Sequence, residues 1–147
     1  MSLLLQYKLK IYALHFAGNF IIFGLLFGFV HWSKSGTSDG LLEEALLYGL
    51  GLGLSLSLIP AFLIKYVEIA LDQSLSQVID AIKETHLASQ LKHRNNSLVE
   101  LRLKTPDVHG LPAEIHQKEE QAIFVGSSKQ HRVFISILKQ KSVFENS

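Results

Sequence analysis

The chain contains no cysteine, which excludes structural disulfides, thiolate metal sites and cysteine nucleophiles. Charge is scarce as well: 18% of the 147 residues are Asp, Glu, Lys or Arg and 48% are hydrophobic, where soluble domains carry about 25% charge. The scarcity is local. Between Ile11 and Ile64 the only charged side chains are Lys34, Asp39, Glu43 and Glu44, and ten of the fourteen Lys and Arg follow Lys65. The formal net charge of +1 gives no global basic signal for nucleic acid. Such a division is that of an integral membrane protein with a polar tail.

Residues 11–31 (IYALHFAGNFIIFGLLFGFVH) hold no acid, Lys or Arg and at 1.5 Å per residue match a hydrocarbon core of about 30 Å. A cleaved signal peptide is the competing reading, but the apolar run exceeds the usual length and HWSKSGTS offers no A-x-A-like site. Residues 45–64 (ALLYGLGLGLSLSLIPAFLI) form a second charge-free run of spanning length. Residues 32–44, with Gly36 and Gly40, supply the turn outside the bilayer. Lys8 and Lys10 precede the first span, Lys65 and Lys83 follow the second, and only Lys34 lies between. By the positive-inside rule residues 1–10 and the tail are cytoplasmic, which makes this a multi-pass protein of the inner (plasma) membrane. Trp32, Tyr12 and Tyr66 sit where interfacial anchors belong.

Helices in lipid associate through close backbone approach, so small residues mark the packing face. Ala17, Gly24 and Gly28 fall within about 40° on the first helix, and Gly49, Gly53 and Ser57 within about 80° on the second. With Ile11 level with Tyr66, Gly24 lies opposite Gly53 and Gly28 opposite Gly49. His15 and Asn19 occupy the back of the first helix, and polar groups facing lipid are costly, so they point to self-association or to another membrane protein. Neither span holds a carboxylate or a long polar stripe, which argues against a transporter or proton channel.

Residues 65–92 lack Gly and Pro and keep Leu71, Leu75, Val78 and Ile82 at spacings of 4, 3 and 4, predicting an amphipathic juxtamembrane helix. It would either form a short coiled coil or pack on the tail; with fewer than three heptads the second reading is preferred. Residues 93–147 predict a small cytoplasmic α+β tail: an alternating strand over 98–104, a loop punctuated by Pro106 and Pro112, and an apolar strand over 122–125. A small-residue loop over 126–130 and a helix over 132–140 complete it.

A strand, a glycine-opened loop and a helix are the parts of a phosphate-binding loop, with Gly126 and Arg132 as the groups able to meet an anion. The run GLPAEIHQKEEQAIFVGSSKQHRVFISILKQ resembles the start of the nucleotide-binding domain of the coupling ATPases of type IV secretion and conjugation. Those proteins also begin with two spans. The resemblance is carried by Gly110, Pro112, Glu120, Ile123, Val125, Gly126, Ile135 and Leu138. In the G-x-x-x-x-G-K-[ST] frame, however, His131 stands for the second Gly, Arg132 for Lys and Val133 for the Mg²⁺-binding hydroxyl. The stretch from Phe134 to Ser147 is too short for a Walker B carboxylate and a nucleotide-binding sheet, so the resemblance implies a degenerate relative that does not hydrolyse ATP alone.

Seven His invite a metal hypothesis, but His86 and His93, like His109 and His116, are seven apart and lack H-x₃-H or HExxH spacing. Glu119 and Glu120 read as a solvated charge cluster, and Ser127 and Ser128 lack a recognisable base. Lys129, His131, Arg132, Lys139 and Lys141 form a modest basic tail for anionic lipid or nucleic acid, with Glu145 and the tail's balanced charge arguing against a dedicated nucleic-acid site. The expectation is therefore an α-helical membrane protein without catalytic residues, metal or cofactor. It would be a non-enzymatic scaffold subunit, a homo-oligomer or part of a hetero-complex, contacting lipid and recruiting a cytoplasmic protein. A membrane sensor acting through the Leu71 to Ile82 stripe is the alternative, and an oligomeric pore a third.

Overall fold

The computed structural model describes residues 2–103 and 111–144, with side chains to residue 139. Two compact units emerge, one of residues 8–64 and one of residues 1–7 with 65–147.

The apolar unit is a helical pair. Helix α1 runs Leu3–Ser35 and α2 Leu41–Leu58, extended by a π-helical turn over Ile59–Leu63. Both are long and apolar enough to cross a membrane. α1 starts eight residues before the expected span, because Leu3 to Lys10 are mostly Leu, Lys and Gln, good helix formers, and it closes where Gly36 takes φ 65° and donates to Trp32 O at 2.9 Å. Pro60 lies in the π turn, which absorbs the proline's missing N–H without ending the helix. Leu25, Phe29, Leu47 and Leu63 are among many large apolar side chains left exposed on this pair, the outward face that lipid would cover.

The second unit is a five-stranded antiparallel sheet in the order β1-β5-β4-β3-β2. Its strands are β1 Tyr66–Ala70, β2 Leu91–Asn95, β3 Leu98–Leu101, β4 Ala113–Lys118 and β5 Gln121–Ser127. Helix α3 spans Leu75–Lys83 and α4 spans Ser128–Phe144. The continuous helix expected over 65–92 is thus corrected. Tyr66, Val67 and Ile69 are aromatic or β-branched and pair with β5, and a fresh helix starts only at Ser74. There Ser74 Oγ accepts from Gln77 N while Ser74 N donates to Gln77 Oε1 at 2.9 Å, a capping box. Strand β4 fills residues expected to be loop, and α4 begins four residues before its expected start.

Alternation divides the sheet into two faces. Val99, Leu101, Ile115, Ala122 and Phe124 join Leu75, Val78 and Ile82 of α3 and Phe134 of α4 in the core. The Leu71 to Ile82 stripe is consumed there, Val78 being 0% exposed, which leaves no apolar face on α3 for the coiled coil. On the opposite face the first turn of α1 docks: Leu4 N donates to Glu68 Oε2 at 2.9 Å, and Tyr7 O–H donates to Pro112 O at 2.9 Å. Tyr7 and Tyr66 meet edge-on at 5.6 Å.

Candidate functional site

Two arrangements bear on function, and the first is the interface of α1 with α2. Gly49 faces Phe20, where an added Cβ would stand 3.1 Å from both its ring and its carbonyl oxygen. Gly53 faces Phe16 and Phe20, at 3.3 Å from the Phe16 ring and the Phe20 nitrogen. Gly24 and Gly28 instead meet Ala45, at 3.4 and 3.6 Å. The expected pairing of Gly24 with Gly53 and Gly28 with Gly49 is therefore corrected: α2 is displaced by about two turns, and its glycines receive phenylalanines. The reason is volume. Contacts on α1 recur at Phe16, Phe20, Gly24 and Gly28 and on α2 at Ala45, Gly49, Gly53 and Ser57, so i±4 ridges interdigitate, large against small. Ala17 is exposed and does not belong to this face.

Asn19 also departs from expectation. Its Nδ2 donates to Oγ of the fully buried Ser57 at 3.3 Å, so its amide has a partner inside the hairpin. The Ser57 hydroxyl in turn donates to Gly53 O. His15 is half-buried. His31 closes the turn end of the pair, with Nε2 2.7 Å from Asp39 O and Nδ1 3.1 Å from Glu44 Oε2.

The segment expected to hold phosphate is built otherwise. Gly126 lies within β5, and an added Cβ there would stand 2.9 Å from Gln130 Oε1. Ser127 N donates to Gln130 Oε1 at 2.9 Å and Gln130 N donates to Ser127 Oγ at 3.1 Å. The Gln130 side chain thereby packs on Gly126 and caps the start of α4, where a phosphate loop would present backbone N–H groups to an anion. Arg132 is exposed on α4. His131 is packed 5.3 Å from the Phe124 ring, and burial pulls its pKa below 6.5. Gly110, His109 and Glu145 lie outside the described residues, and of Lys141 only the helical backbone is described.

The second arrangement lies on the sheet. Glu100 and Glu114 are direct cross-strand neighbours on β3 and β4, 5% and 7% exposed. Arg94 Nε stands 2.8 Å from Glu100 Oε2, a cationic partner that offsets part of the cost of burying that carboxylate, and His116 Nε2 stands 3.0 Å from Glu114 Oε2. Burial pushes the nearby Tyr66 hydroxyl up to about 12. Sequence reading missed both carboxylates; the signal available was Glu100 alternating with Val99 and Leu101.

Among the described residues, the outer edge of β2 pairs with no strand. Beside it opens a cleft of about 450 Å³ lined by Leu75, Ile79 and Val99 and rimmed by His93, Arg94 and Asn95. Glu119 and Glu120 form the exposed tight turn between β4 and β5, with Glu119 at φ 55°. Among the described residues no three His or acidic side chains converge as a metal site. Comparison with protein-family models, curated proteins and solved structures finds no match to this chain.

Proposed function

We propose that the chain is a non-enzymatic inner-membrane scaffold subunit whose two apolar helices cross the bilayer with both termini cytoplasmic and whose sheet unit recruits a cytoplasmic protein. The observation that carries this reading is the open β2 edge beside the cleft of Leu75, Ile79 and Val99. Exposed edge strands pair readily with an extended segment, whose alternate side chains enter an adjacent groove. Lys92 on this edge favours an acidic segment, Arg94 being paired already with Glu100. A type IV secretion or conjugation apparatus is the preferred setting, and the resemblance to coupling ATPases alone supports it. The test is crosslinking and mass spectrometry of the assembly purified from native membranes in mild detergent. A heterologous protein crosslinked near Lys92 supports recruitment; a homo-oligomer without other proteins sinks it.

A second reading is a membrane signal transmitter. Its support is α1 itself, one unbroken helix of 33 residues whose first turn belongs to the sheet unit and whose remainder is a candidate span. The Leu71 to Ile82 stripe lies in the core, so α1 would be the relay.

A further inference from the structure

Within the sheet unit, the start of α4 is bonded to Lys65, the residue with which that unit resumes after the second apolar helix. Ile64 is extended, and Lys65 comes next, about 7 Å of chain beyond the last helical residue Leu63. Lys65 O accepts two hydrogen bonds, from Ser128 N at 2.9 Å and Ser128 Oγ at 3.1 Å. Tyr66 pairs with Ser127 in the same register. The start of α4 is therefore held at Lys65. The polar zone flanking the hydrocarbon is about 5–7 Å deep on each side, so if residue 63 ends a span, the chain keeps Lys65, to which Ser128 is bonded, within reach of the headgroups.

The first turn of α4 is basic. Lys65, Lys129 and Arg132 are all exposed, and on α4 the exposed Lys129, Arg132, Ser136 and Lys139 fall within an arc of about 80°. The helix carries no Asp or Glu from Ser128 to Phe144. Its other side, with Gln130 and Phe134, is buried in the sheet unit, so the cationic stripe faces outward.

We infer that Lys65, Lys129 and Arg132 form an anionic-lipid contact on the cytoplasmic leaflet, holding the first turn of α4 against phospholipid headgroups. The inference rests on the membrane-anchored reading above and adds to it a lipid class and the residues that meet it. Each Lys or Arg near an anionic leaflet contributes about a five-fold preference, so three together select anionic over zwitterionic lipid by roughly 100-fold.

The experiment uses the full chain with Ser136→Cys, the only thiol in a sequence without cysteine, labelled with a polarity-sensitive dye. The protein is reconstituted into phosphatidylcholine vesicles with or without phosphatidylglycerol. Retention of the chain in carbonate-washed phosphatidylcholine vesicles tests membrane anchoring by itself, and its loss from them overturns the anchored reading. With anchoring intact, a blue shift that appears only with phosphatidylglycerol, fades at high salt and is abolished by Lys129→Gln with Arg132→Gln supports the contact. Equal emission in both vesicles overturns it. Native mass spectrometry of the unsubstituted chain provides a readout that no variant can spoil by misfolding. Preferential retention of phosphatidylglycerol supports the contact, and equal retention of both lipids overturns it.

Discussion

At the scale of single residues, the packing of α1 on α2 depends on two glycines more than on the other pair. Gly49 faces the carbonyl oxygen of Phe20, a backbone atom that cannot rotate away, whereas Gly28 faces a side-chain methyl at ordinary contact distance. Gly49→Ala should therefore weaken the helical pair by about 1–3 kcal/mol, the cost of overpacking, while Gly28→Ala leaves it nearly unchanged. Resistance of the two helices to separation in graded SDS measures both; equal sensitivity would remove the interface described above. His131 gives a second residue-scale outcome. Its pKa is lowered in the fold, so below about 6.5 the unfolded chain binds a proton that the folded chain resists. This contribution is present above pH 6.5 and declines as pH falls. Comparing urea unfolding of the wild-type chain and His131→Gln between pH 5 and 8 isolates it: wild type should lose stability relative to the variant as pH falls, and parallel pH dependences of the two would remove the effect.

At the scale of elements, the sequence was most legible where one physical rule acted alone. Charge-free runs of spanning length marked both apolar helices, since an unbroken apolar run of about 20 residues is much longer than an ordinary strand. The alternating Val99, Leu101 and Leu103 marked a strand. Residues 65–92 were not legible, because two periods overlap there. Leu71, Leu75, Val78 and Ile82 read at helical spacing, while Val67, Ile69 and Leu71 alternate, and pairing with β5 decides between them. The capping box of Ser74 and Gln77 was the local sign that a helix starts at residue 75. Glycine positions gave the packing faces of the hairpin but not their register, because what fills a glycine notch is set by the facing Phe16 and Phe20. Capping and burial also order two substitutions on α3. Ser74→Ala should cost about 1 kcal/mol through the lost cap, and Leu75→Ala, 4% exposed in the core, about 2–5 kcal/mol. Chemical denaturation monitored by far-ultraviolet dichroism would rank them; a larger loss for Ser74→Ala would mean that α3 is not seated on the sheet.

At the scale of the whole molecule, the proposed function requires the two apolar helices to span a membrane and the sheet unit to lie on its cytoplasmic side. Lys8, Lys10 and Lys65 flank the two apolar helices on one side and Lys34 alone lies on the other, so the lysine bias favours a cytoplasmic sheet. The absence of cysteine makes this directly measurable, because any introduced thiol is the only one. Ser38 lies between α1 and α2 and is exposed; Ser97 lies in the hairpin between β2 and β3 and is exposed. In right-side-out vesicles, Ser38→Cys should react with a membrane-impermeant maleimide without further treatment, and Ser97→Cys only after permeabilisation. The reverse pattern would put the open β2 edge outside the cell, where no cytoplasmic partner can reach it. It would also turn Lys65, Lys129 and Arg132 away from the cytoplasmic leaflet. Labelling of both positions without permeabilisation would mean that the apolar pair does not span, and that its exposed leucines and phenylalanines are covered by protein instead of lipid.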